Sequence, residues 1–313
     1  MRGQPVKAVD GVDLEIHPQE TLALVGESGC GKTMLALSIG SSRTRGLLPP
    51  TARIVSGRIL FRGTELTCLD EKQLRTIRGG QIAYIFQDPM TSLNPVMSVG
   101  EQLLEAIQLH EGLDRKAGWQ KGVDLLTQVQ IPSPEERIRQ YPHQLSGGMR
   151  QRVMIAMALA GNPQFLIADE PTTALDVTTQ HEILTLLQQL KTARGMAVLL
   201  ITHDLGSVAP HSDRIAVMYA GRIVEVGRTT EFYKSPSHPY SQALLACLPK
   251  VGRGRQEISA IPGSVPDLRS PPSGCPFHPR CLEVIDRCSG EEPRLKPLRE
   301  GHSVSCWKRE QAG

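Results

Sequence analysis

The sequence is short of aromatic residues, of net charge and of long apolar runs, and each shortage excludes a class of function. Phe, Trp and Tyr make up 4% of the 313 residues while hydrophobic residues reach 40%, so any core must be largely aliphatic. The formal charge of +3 is small for this length. A nucleic-acid binder normally concentrates a strong basic excess in a patch, so no nucleic-acid partner is expected. No stretch approaches the roughly 18 uncharged apolar residues that cross a bilayer. The opening Met1-Arg-Gly-Gln-Pro-Val lacks the basic-then-apolar layout of a secretory leader. The expectation is a chain on the cytoplasmic side of the membrane that meets the bilayer only through partner proteins. There is no internal repeat and no low-complexity tract. The length suits one large domain with an appendage, or two modest ones.

What is present alternates between short apolar runs and helical periodicity. Thr21-Leu-Ala-Leu-Val25 reads as a strand, the Gly-rich Gly26 to Thr33 as a loop, and Met34-Leu-Ala-Leu-Ser-Ile39 as a helix start. Ile59-Leu-Phe61 and Gln81 to Phe86 look like further strands, and residues from about 95 to 161 turn helical. Phe165-Leu-Ile-Ala168 and Ala197-Val-Leu-Leu-Ile201 are unbroken apolar runs, as strands buried on both faces of a parallel sheet are. Between them Ile183, Leu184, Leu186, Leu187 and Leu190 recur at helical spacing, and Gly195 stands where a C-cap belongs. The pattern predicts an α/β domain with a helical insertion. After about Lys234 the composition shifts toward Pro and Gly, Gly252-Arg-Gly-Arg255 reads as a linker, and the tail shows little periodicity.

Two segments carry nucleotide chemistry. Gly26-Glu27-Ser28-Gly29-Cys30-Gly31-Lys32-Thr33 fits G-x-x-x-x-G-K-T. Its glycines let consecutive backbone N–H groups converge on a phosphate at a helix N-terminus. Lys32 then reaches the β- and γ-phosphates and the Thr33 hydroxyl ligates Mg²⁺. Cys30 reads first as a small residue filling a tolerant loop position; against that, the helix N-terminus would lower its thiol pKa and make it reactive. Phe165 to Ala168 is followed by Asp169-Glu170, two carboxylates at a strand's C-terminal end, where open α/β sheets bind ligands. Asp169 can hold Mg²⁺ through water, and Glu170 can orient or deprotonate the water that attacks the γ-phosphate. Asp-Glu after a strand is commonplace by itself; paired with the loop it reads as catalytic.

Leu145-Ser146-Gly147-Gly148-Met149, followed by Arg150-Gln151-Arg152, resembles the signature motif of ABC (ATP-binding-cassette) ATPases. In that family the Ser-Gly-Gly helix start meets the γ-phosphate of ATP held by the opposite subunit. Three further segments fall in the family's order. Gln87, in Ile85-Phe-Gln-Asp-Pro89, resembles the glutamine that contacts Mg²⁺ and the attacking water while touching the membrane subunits. Ala174-Leu175-Asp176 resembles the loop that lies across the dimer interface. His203, in Ile201-Thr-His-Asp204, resembles the switch histidine that contacts the γ-phosphate. The resemblance covers roughly residues 6 to 240. It implies an ABC ATPase (P-loop NTPase) core with an inserted helical subdomain: a cassette over 1–235, its helical part at about 95–161, and a small Cys-rich C-terminal extension over 236–313. One departure stands out. The family usually stacks an early aromatic residue on adenine, yet no aromatic precedes Phe61: either adenine stacking is lost or, the favoured expectation, the chain begins downstream of its true start.

The tail narrows the branch. His238-Pro-Tyr-Ser-Gln-Ala-Leu-Leu245, Ile261-Pro-Gly-Ser-Val-Pro266, Cys275-Pro-Phe-His-Pro-Arg-Cys281 and the segment Gln87 to Pro95 resemble dipeptide/oligopeptide importer ATPases; nickel and glutathione importers share much of this pattern. The resemblance implies ATP hydrolysis driving solute uptake at the cytoplasmic face of the inner membrane. Implied partners are a second, related ATPase chain, two transmembrane permease subunits and an extracytoplasmic solute-binding protein. Cys275, Cys281, Cys288 and Cys306 are separated by five, six and seventeen residues, a spacing that can wrap one tetrahedral Zn²⁺ or one iron–sulfur cluster. Spacing also leaves open four thiols without metal; the resemblance implies a four-iron four-sulfur (4Fe-4S) cluster with a structural role. Anaerobically purified protein is therefore expected to be brown and to carry iron and acid-labile sulfide; colourless protein with stoichiometric zinc would decide for the other metal.

Overall fold

The computed structural model describes residues 5–44, 46–87, 92–248 and 261–310. Gly252 to Arg255 and Asp88 to Thr91, parts of the expected linker and glutamine segment, lie outside the described residues. The chain divides into two compact units. One gathers the N-terminal segment to Ile16, Thr21–Leu35 and everything from Thr202; the other holds His17–Glu20 and Ala36–Ile201. The strands in chain order are β1 (Thr21–Val25), β2 (Leu60–Phe61), β3 (Thr64–Glu65), β4 (Ile82–Ile85), β5 (Phe165–Asp169), β6 (Ala197–Thr202), β7 (Arg214–Tyr219), β8 (Arg222–Arg228), β9 (Lys296–Arg299) and β10 (His302–Val304).

In the unit containing Ala36–Ile201, β4 pairs in parallel with β5, and β5 with β6. β5 and β6 are buried along their whole length, which is why their sequences are apolar without alternation. Helices of this unit open on side chains that accept the otherwise unsatisfied N–H of the first turn. Ser98 caps Val99–Glu111, with Glu101 completing a capping box, and Asp114 caps Arg115–Gln128. Ser146 caps Gly147–Ala158, and Asp176 caps Val177–Arg194, which ends at Gly195 in the left-handed conformation. The predicted helical region thus resolves into discrete helices. Val99–Glu111 and Arg115–Gln128 approach closely because glycine stands at the contact. A Cβ on Gly100 would come within 2.5 Å of the Trp119 ring, and one on Gly118 within 2.6 Å of Leu104. Leu103, Ile107, Val123, Leu126, Ile155, Leu166, Ile183 and Leu187 fill one aliphatic core.

In the other unit β1 pairs in parallel with β7, β7 and β8 form a hairpin, and β10 then β9 continue the ladder. The tail that shows little periodicity in sequence therefore adds two strands to β8. A buried pair locks it there: His302 Nε2 lies 2.7 Å from Glu225 Oε1, both side chains 0% exposed. Glu225 also accepts the backbone N–H groups of Ser237 (2.7 Å) and His238 (2.8 Å). Burial pushes the Glu225 carboxyl up, but these hydrogen bonds outweigh it and the net shift is downward. Val217, Tyr219, Phe232, Tyr240, Phe277 and Trp307 share the core of this unit.

His238 caps the helix Pro239–Ala246 by accepting the Tyr240 N–H at 3.0 Å. It is 1% exposed. Burial pushes its imidazole down to about 4, Arg309 acting in the same direction and Glu225 against it. Unfolded, it titrates near 6.5, so the unfolded chain binds the extra proton between those values and stability falls as pH drops through that window. Between about pH 6.5 and 5 the loss attributable to His238 should be about 1.5 kcal/mol. Urea melts across this range should show that slope in the wild type and a flatter one in His238→Asn, whose shorter polar side chain can still cap.

Candidate functional site

The phosphate-type loop leaves the buried end of β1 and runs into the helix Lys32–Ile39. Two glycines allow this path. A Cβ on Gly26 would lie 2.2 Å from the Met218 carbonyl oxygen, and one on Gly31, whose φ is +107°, 2.2 Å from that of Ala8. The loop is thus pressed between the end of β7 and the N-terminal segment. Lys32 is buried, and its ammonium donates to the carbonyls of Gly26 (2.8 Å) and Glu27 (3.0 Å). Ser28, Gly29 and Thr33 are exposed. The result is a backbone turn at a helix N-terminus with a cation folded onto it, an arrangement that can seat an anion. In the same unit His203 follows β6 directly and is exposed, and Asp204 caps the short helix Leu205–Val208.

In the other unit β5 delivers Asp169, buried at the strand's end, and Glu170 immediately after it. Glu170 has φ +47° and donates its N–H to the Ile201 carbonyl at 2.9 Å. A left-handed non-glycine residue costs on the order of 1 kcal/mol or more and persists where its surroundings dictate it. Its carboxylate accepts from Gln87 Nε2 (3.0 Å) and from the Thr173 hydroxyl (2.9 Å), both on Oε2. Asp169, Glu170 and Gln87 are therefore brought together, 83 residues apart in sequence for the last pair. Thr173 belongs to none of the motifs read from the sequence; its place three residues after Glu170, on the same turn, is the signal that points to it. Ser146 accepts the Met149 N–H at 3.3 Å, and the half-buried helix start that follows packs on neighbouring residues. Cβ atoms on Gly147 and Gly148 would lie 3.5 Å from Leu175 and 2.8 Å from Thr179. The signature-type turn is thus seated against the Ala174-Leu175-Asp176 segment.

The cysteines separate into two cases. Cys30 is 0% exposed, and burial pushes its thiol up more than the neighbouring Lys32 lowers it. The expected activation by the helix N-terminus is overturned because desolvation of the thiolate outweighs it. Cys275, Cys281, Cys288 and Cys306 occupy one folded segment, and Cys275 donates its N–H to the Cys288 carbonyl at 2.8 Å. Burial pushes Cys275 up to about 12, and the three other thiols add to the rise. Backbone N–H groups two residues on face three of the sulfurs: Phe277 toward Cys275, Glu283 toward Cys281 (3.3 Å) and Lys308 toward Cys306. Such donors suit thiolates bound to a metal. Among the described residues, no three His, Cys, Asp or Glu side chains stand in metal-holding geometry.

An ABC transporter family profile matches residues 9–173, more than half of the chain. The chain belongs to the ABC transporter family. A second profile, the oligopeptide/dipeptide transporter C-terminal region, matches residues 224–288. Among curated relatives of this ABC ATPase, the dipeptide transport ATP-binding protein DppD of Bacillus subtilis is 48% identical over 99% of this chain and 91% of its own. DppD of Escherichia coli is 46% identical over 96% of this chain and 91% of its own. Among solved structures, a dimeric ATP-binding cassette in a post-hydrolysis state with ADP and phosphate aligns with TM-score 0.61 and 28% identity, covering 71% of this chain and 90% of that one. The structure of cbiO1 from Clostridium perfringens aligns with TM-score 0.61 and 29% identity, covering 73% and 84%.

The burial of Cys30 gives a direct check. Under brief alkylation of the folded chain at pH 7.5, exposed Cys68 should be labelled at least about ten times faster than Cys30, as peptide mass spectrometry would report. Comparable rates would mean that the loop opens on the labelling timescale.

Proposed function

We propose that this ABC ATPase binds and hydrolyses ATP to power the uptake of dipeptides or oligopeptides through a membrane importer. The observation that carries this reading is near full-length likeness to dipeptide transport ATP-binding proteins, extending through the C-terminal region as well as the cassette. The work would be delivered to permease subunits, as the likeness to transport ATP-binding proteins supports; among the described residues no helix is long and apolar enough to cross a membrane. Those subunits, a second and related ATPase chain, and an extracytoplasmic binding protein complete the assembly proposed at the cytoplasmic face.

The roles proposed for the site follow from the chemistry of each group. Lys32, now turned onto two loop carbonyls, would exchange them for phosphate oxygens, with the Gly26 to Gly31 backbone cradling the anion. Thr33, Asp169 and Gln87 would hold Mg²⁺, which supplies positive charge to the phosphates. Glu170 would accept a proton from the attacking water or orient it, its carboxylate steadied by Gln87 and Thr173. His203 would hydrogen-bond the γ-phosphate. Ser146, Gly147 and Gly148 would meet ATP held by the partner cassette, as a helix N-terminus can.

The four tail thiols are proposed to hold a 4Fe-4S cluster, with Zn²⁺ as the alternative. The backbone N–H groups facing their sulfurs favour metal-bound thiolates, and the role would be to clamp a tail of modest apolar content.

Cells lacking the native chain and carrying Lys32→Ala should lose uptake of labelled dipeptide but keep uptake of labelled nickel. Loss of nickel uptake instead would reassign the solute, leaving the ATPase intact. In the assembled transporter Glu170→Gln should lower ATP turnover by at least about 100-fold while retaining bound ATP.

A further inference from the structure

Glu27, the second residue of the phosphate loop, is gripped from the tail. Its carboxylate receives both arms of the Arg280 guanidinium, Nη1 to Oε2 at 2.8 Å and Nη2 to Oε1 at 3.1 Å. Its backbone N–H donates to the Tyr240 hydroxyl at 2.9 Å. Side chain and main chain of one loop residue are thus both held by residues that follow β8. Arg280 is itself fixed. Its side chain is 5% exposed, Nε donates to the Pro262 carbonyl at 2.9 Å, and Nη1 reaches the Tyr219 hydroxyl at 3.3 Å. Tyr219 stands next to Met218, the residue whose carbonyl presses on Gly26. Phe277, three residues before Arg280, packs edge-on to Tyr219 with ring centroids 5.2 Å apart and against Tyr240 at 5.3 Å. One turn of the Cys275–Cys281 segment therefore supplies both the aromatic wedge and the guanidinium fork beneath the loop.

A bidentate pair of this kind fixes direction as well as distance. A phosphate cradle built from backbone N–H groups binds well only while those groups are already aimed, since ordering them on binding costs affinity. We propose that Arg280 is a positioning residue for nucleotide: through Glu27 the cysteine-bearing tail holds the phosphate loop in its anion-binding shape, so that ATP affinity depends on a side chain 253 positions away. The inference rests on the reading of Gly26 to Thr33 as the ATP site.

The test is titration of the full chain with a fluorescent ATP analogue and Mg²⁺, with a thermal melt of each variant. Arg280→Gln and Glu27→Gln should each weaken binding by about 10-fold, and the double variant should be no weaker than either single one. Arg280→Lys, which keeps charge but not the fork, should fall between wild type and Arg280→Gln. The Glu27→Gln result separates positioning from charge. Removing a carboxylate beside a phosphate should tighten binding if only electrostatics counted, whereas loss of the clamp weakens it. Should Arg280→Gln fail to fold, Glu27→Gln carries the same prediction. Variants that melt lower but bind within two-fold of wild type would overturn the inference and leave the ATP site standing. A wild type that binds no analogue, or a Lys32→Ala variant that binds as tightly, would overturn the ATP reading and this inference with it.

Discussion

The constraint on which this molecule depends is that its central strands are buried on both faces. β1, β5 and β6 have no solvent-facing side, so a polar or charged group can emerge only where a strand stops. Each of the three stops in chemistry: β1 in the Gly-rich loop, β5 in Asp169 and Glu170, β6 in Thr202 followed by His203. The apolar runs and the polar residues that follow them are consequently one feature of the sequence, since the run ends where the strand stops. The left-handed turn at Glu170 belongs to the same logic. A chain leaving a buried strand abruptly needs such a residue, and the Glu170 N–H bond to Ile201 stabilises it.

Close approach is the second theme. Gly26 and Gly31 let the loop lie on carbonyls that any side chain would strike, and Gly100 and Gly118 do the same where two helices of the other unit meet. Lys32, buried against the loop's own carbonyls, shows how a buried cation is held by backbone oxygens. Cys30 shows the opposite balance. The helix N-terminus that favours a phosphate cannot hold this thiol ionised, because burial removes the water that a thiolate needs.

The tail is joined to its unit by polar interactions as much as by apolar ones. β10 lies on β8 with the buried Glu225–His302 pair across the ladder, while Phe277 and Trp307 enter the same core as Val217 and Tyr219. Breaking one member of such a pair strands the other without water, which is costly. Arg280 and Glu27 apply the same principle to the phosphate loop.

Local rules of the chain determined much of this by themselves. Thr21 to Val25 and Phe165 to Ala168 could be read as strands from apolar runs, and the helix around Ile183 to Leu190 from its leucine spacing and Gly195. The G-x-x-x-x-G-K-T loop, Asp169-Glu170 and Ser146-Gly-Gly were legible because their chemistry is carried by neighbours in sequence. Tertiary structure alone decided which distant side chains meet: Gln87 and Thr173 on Glu170, His302 on Glu225, Arg280 on Glu27. It also decided that the tail would form strands, since Lys296–Arg299 and His302–Val304 are too short and too mixed to announce themselves and gain their ladder only beside β8. The physical reason is the same throughout. Periodicity and motif record what a residue does with its near neighbours, whereas burial and ion pairing depend on partners that the folded chain brings together.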